Sequence, residues 1–182
     1  MTAPITAPLS RSARTSISAL RLMALLTILA LPVGMAYFWF ALDGAELKGI
    51  LHMPATADPV GTFERGAGFA LSMIPGGVLI FGLVRLRACL AAFLSGAIFS
   101  STASAGLRDF AIGIGASALA RPFVSALLSV VLSWSAPPGQ RMIVFSISSD
   151  TILFVLFAGT IAAAAWVMQQ AARIAEENAQ FV

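Results

Sequence analysis

Arg121 is the residue whose type and position carry the most chemistry in this sequence. It stands near the middle of an apolar run over 110–134, at the depth where a spanning helix would meet the centre of a bilayer. A guanidinium is charged under essentially all conditions and presents five N–H donors, and at the centre of a membrane helix it costs about 2.5–3.5 kcal/mol on insertion scales. No Asp or Glu lies in any apolar run at that depth, so its acceptors must be carbonyls, hydroxyls, water or a bound anion. Ser117 and Ser125, four positions to either side, are the candidate ligand-binding companions of Arg121. Gly113, Ser129 and Ser133 extend the same spacing, which also serves close helix packing; an i+4 row drifts around a helix and cannot all line one pocket. Two roles stand side by side for Arg121. It binds carbonyls released by Pro122 and by kinks at Pro32 or Pro75, or it serves a ligand in a central polar pocket. In either role it is expected to face the bundle interior, beside Ser or Thr hydroxyls or a proline-freed carbonyl from the first or second helix.

Other chemistry is thin. Cys89 is the single cysteine and His52 the single histidine, so one chain can form neither a disulfide nor a Cys/His metal site. Asp43, Glu46, Asp58 and Glu64 are scattered along one stretch without the spacing of cation ligands, and His52 reads as an ordinary loop residue. No phosphate-loop, zinc-hydrolase or serine-hydrolase motif occurs. The expectation is therefore no catalytic residue, no metal and no cofactor. The end of the chain, with Glu176, Glu177, Asn178 and Phe181, is a weakly amphipathic helix that reads as a frayed end or as a docking element for a cytoplasmic partner.

The elements that must position Arg121 are set by composition. The 182 residues are 59% hydrophobic and 10% charged, with a mean hydropathy of +0.92. Ordinary soluble domains carry about 25% charged residues. The net charge of +3 is not arranged as a basic stripe with interleaved aromatics, which disfavours nucleic acid. The apolar runs predict an all-α membrane bundle with four spans, at about 22–42, 66–84, 110–134 and 151–168. Residues 1–21 read as a flexible cytoplasmic tail and 169–182 as a cytoplasmic helix end. The first span reads as an uncleaved anchor, because its apolar core is longer than that of a signal peptide.

Within this layout the second helix continues past Arg85 and Arg87 to Leu94, where Gly96 breaks it, and Ser100 to Ser104 offer caps for the third. Residues 47–53 and 142–147 read as short extended segments that pair as a small cap over the outer ends of the helices. Arg11, Arg14, Arg21, Arg85, Arg87, Arg108 and Arg173 fall on one side of the membrane, and Lys48, Arg65 and Arg141 on the other. That bias places both termini in the cytoplasm. Trp39 and Trp134 are then expected as ring anchors at the outer interface and Trp166 near the inner one.

Gly82-Leu83-Val84-Arg85-Leu86, Gly96-Ala97-Ile98-Phe99-Ser100, Leu107-Arg108 and Arg121-Pro122 occur in that order, before an acidic ending at Glu176-Glu177-Asn178. This pattern, covering roughly 66–182, resembles the bacterial membrane proteins grouped as domain of unknown function 2975. The resemblance implies a four-helix inner-membrane protein, of a kind often encoded beside small helix-turn-helix regulators. It brings no activity and no catalytic residue with it. The expected function is a non-enzymatic interaction, regulatory or accessory subunit of a membrane complex, in contact with the bilayer and with other membrane or cytoplasmic proteins. The alternative is a small-molecule, ion or lipid-headgroup binding protein or transporter using Arg121.

Overall fold

A computed structural model describes residues 10–50, 60–98, 100–134, 143, 145 and 147–180, with the backbone alone for 45, 48, 49 and 175–180. The described chain is all-α: α1 (Arg11–Phe40), α2 (Gly44–Ile50), α3 (Thr62–Leu94), α4 (Ser101–Leu132) and α5 (Ser149–Gln180). Four of these, all but α2, are long and apolar enough to cross a membrane. They form a four-helix bundle whose seams run from α1 to α3, from α3 to α4 and from α4 to α5. The first and last helices share no comparable seam, so they flank the central pair without closing on each other.

The helix ends follow local chemistry. The Ser10 hydroxyl accepts from the Ala13 N–H and starts α1 at Arg11, which corrects the reading of 1–21 as one flexible tail. Nothing after Ser10 breaks a helix, so Arg11 to Arg21 continue the apolar span as an extra three turns. α3 closes as expected at Gly96, whose φ of 84° is the left-handed region that favours glycine. The Gly96 N–H donates to the Phe93 carbonyl and the Ala97 N–H to the Ala92 carbonyl, the pair of bonds that caps a helix C-terminus. Ser100 then caps α4 through the Ala103 N–H. Pro32, Pro75 and Pro122 all lie inside helices.

The proposed paired segments are not strands where they are described. Residues 47–50 belong to α2, in which Leu47 is fully buried, and Ile143, Phe145 and Ile147 are exposed without regular structure. Glu46 in the first turn and a single deeply buried leucine suit a short helix better than an edge strand. The remainder of both segments, with His52 and Asp58, lies outside the described residues.

The core is built from small side chains. Ala103, Ala111, Gly113, Ser117 and Ala118 are buried on α4, facing an α3 that buries Gly82 and Cys89. A Cβ built on Gly113 would come within 2.7 Å of the Gly82 Cα, and one on Gly106 within 2.7 Å of the Arg85 carbonyl. Lipid tails are as apolar as leucine, so such seams depend on close backbone approach and van der Waals contact. Large apolar side chains, among them Leu26, Phe81, Phe123 and Leu156, point outward instead.

Candidate functional site

Three helices meet around Arg121. A half-open groove of about 290 Å³ is lined by Leu31 and Met35 of α1, by Ser72, Pro75 and Gly76 of α3, and on α4 by Ser117, Arg121 and Ser125 together with flanking apolar residues. The sequence-predicted trio of Arg121, Ser117 and Ser125 is thus brought together, and Pro75 joins it as one of the three intrahelical prolines. Ser117 is buried and Ser125 half-buried, but Arg121 is exposed, which corrects the expectation that it faces the bundle interior. Glycine and serine among the lining residues keep side-chain bulk low. Small residues on a membrane helix allow a second backbone to approach closely.

The guanidinium stands 5.5 Å from the centroid of the Phe154 ring of α5. A cation over an aromatic face is stabilised by about 0.5–2 kcal/mol, which does not offset the cost of an arginine at mid-membrane. No hydrogen bond or ion pair joins Arg121 to any described residue. The expected serine neighbours are present in the groove, but none of them accepts from the guanidinium. Its five donors therefore remain for whatever enters the groove.

Three arginines to which sequence analysis assigned no site role, Arg65, Arg85 and Arg108, have specific structural work. Arg65 Nη1 donates to the Trp39 carbonyl at 2.8 Å and to the Leu42 carbonyl at 2.9 Å, so a cation caps the C-terminal end of α1. Arg85 donates through Nε to the Asp109 carboxylate at 2.7 Å, and Arg108 approaches the other carboxylate oxygen at 3.1 Å. The signal for this cluster was a lone acid in a stretch holding three arginines, Arg85, Arg87 and Arg108. Arg87 keeps its Nε buried without an acceptor among the described residues.

Trp39 packs between α1 and α3. It is 1% exposed, with its indole N–H donating to Ser72 Oγ at 3.2 Å and its ring lying where a side chain on Gly68 would be. The absence of a Cβ on Gly68 opens a slot in α3 that the ring fills, so packing and a hydrogen bond hold it inside the bundle. Trp134 and Trp166 are exposed, as ring anchors would be.

Glu176, Glu177 and Asn178 lie on the last turns of α5, known here by backbone alone, and Phe181 lies outside the described residues. No group of three or more His, Cys, Asp or Glu that could hold a metal ion occurs among the described residues. No protein-family model, curated protein or solved structure matches this chain.

Proposed function

We propose that this is a non-enzymatic subunit of a bacterial inner-membrane complex, and that its groove receives a transmembrane helix of a partner protein bearing an Asp or Glu at mid-membrane. The observation that carries the reading is Arg121, a mid-span guanidinium without a hydrogen bond or ion pair to any described residue, in an open groove whose lining includes Ser72, Gly76, Ser117 and Ser125. An arginine in lipid is stable when paired, and a carboxylate from outside supplies what these spans lack. The gap between α1 and α5 leaves the groove accessible from the bilayer, and its small lining residues allow close helix approach.

The second reading, a small anion or lipid headgroup held by Arg121, is favoured by the volume. About 290 Å³ is close to the lower end of the roughly 300–1,000 Å³ of small-molecule pockets. Mild-detergent purification of the parent, Arg121→Gln and Arg121→Lys proteins, with identification of the retained proteins and lipids, separates the readings. A partner with an intramembrane acid should be lost about tenfold or more in Arg121→Gln and be partly retained by Arg121→Lys, which keeps the charge without the planar fork. Unchanged recovery of the same partner from both variants would refute a role for Arg121 in binding it.

A further inference from the structure

The arginine-rich end of the bundle holds a second, smaller cavity, of about 60 Å³, between α4 and α5. Ser104 and Arg108 of α4 and Trp166 and Gln169 of α5 supply its polar and aromatic lining. A water needs about 10–15 Å³ of such space, so the cavity suits a few waters or a compact polar group and not an acyl chain. Arg108 is tethered along one edge, with Nε and Nη2 both directed at Asp109, which leaves Nη1 uncommitted. Neither Trp166 nor Gln169 is hydrogen-bonded to any described residue. Residues carrying donors of three kinds, guanidinium, indole and amide, thus line one small space.

Charge and depth agree on the ligand. Arg85 and Arg108 carry two positive charges and share the single carboxylate of Asp109, which leaves one positive charge for a monoanion. Arg108 lies 13 positions before Arg121 in α4. That is about 20 Å along the helix, where the bilayer's hydrocarbon half-thickness of about 15 Å has given way to headgroups. Trp166, 62% exposed, presents a ring suited to the same interface.

We infer that this cavity is a phosphate-binding site which takes the phosphodiester of an anionic phospholipid. Arg108 supplies the charge, Trp166 and Gln169 supply neutral donors, and Asp109 with Arg85 fixes the Arg108 side chain. The site is separate from the Arg121 groove and independent of what that groove holds.

Delipidated full-length protein titrated with short-chain phosphatidylglycerol, short-chain phosphatidylcholine and inorganic phosphate, followed by native mass spectrometry and tryptophan emission, tests this. The parent should prefer phosphatidylglycerol over phosphatidylcholine by about fivefold, the ratio that one arginine confers at an anionic surface, and Arg108→Gln should abolish the preference. Trp166→Phe keeps the ring and loses the donor; it should weaken binding two- to threefold and remove the emission change, which gives a readout if Arg108→Gln fails to fold. Inorganic phosphate that binds alone as well as the lipid, and displaces it, would keep the phosphate site and overturn its assignment to lipid. Arg108→Gln binding like the parent, or an emission change that survives in Trp166→Phe, would overturn the site.

Discussion

At the scale of single residues, the contrast between Arg121 and Trp39 shows what side-chain identity does in this bundle. Trp39 is a packing residue: its ring fills the slot over Gly68 and its indole binds Ser72, which also lines the groove. Trp39→Phe removes one hydrogen bond and should cost about 1 kcal/mol, whereas Trp39→Ala opens a cavity and should cost about 3–5 kcal/mol. Chemical denaturation in mild detergent would measure both, and equal effects would show that the ring is not packed as described. Arg121 was legible in sequence because a charge in an apolar run needs no structure to be noticed. The burial of Trp39 was not, because it depends on Gly68, which is distant in sequence and supplies only the absence of a side chain. The Asp109 cluster had a readable sign in its composition, but pairing Arg85 with Asp109 requires the α3–α4 packing to be known.

At the scale of elements, close approach of α3 and α4 brings together most of the groove's lining. Gly113 faces Gly82 so closely that a leucine there must separate the helices. Gly113→Leu should destabilise the protein by about 1–3 kcal/mol or more and should also disturb the groove, whereas Gly77→Ala, with nothing within 4 Å of its Cβ position, should leave stability nearly unchanged. Thermal unfolding of the two variants, followed by helical circular dichroism, checks the pair; a Gly113→Leu protein as stable as its parent would contradict the seam. The helices themselves were readable from apolar length, and their joints from Gly96 and Ser100, because these depend on local backbone chemistry. The start of α1 was misread because Arg11 to Ser18 is polar without being unfavourable to helix, and the Ser10 cap and the following span decide its state. Residues 47–50 misled for a related reason: a short apolar segment carries no period that separates strand from helix.

At the scale of the whole molecule, four helices long enough to cross a membrane would put α1's start and α5's end on one side, and the arginine bias makes the cytoplasm the expected side. Reporter fusions after residues 55 and 182 should report outside and inside; an outside signal at 182 would end the four-span arrangement. The open order of helices gives this topology its use. α1 packs on α3 and α5 on α4, so the face carrying Arg121 remains available between them. The central claim is that this face takes a partner's membrane helix through a carboxylate, and it is tested most directly by photo-crosslinking in native membranes. A photoreactive phenylalanine analogue at Leu79 or Leu128, in the groove, is compared with one at Val167, an exposed position on α5 outside the groove lining. The expected result is one protein adduct from the groove positions, mapping to a transmembrane segment with an Asp or Glu at mid-depth, absent from Val167 and lost in Arg121→Gln. Adducts to lipid alone, or to a helix without an acid, from a groove whose crosslinking is indifferent to Arg121→Gln, would contradict the account.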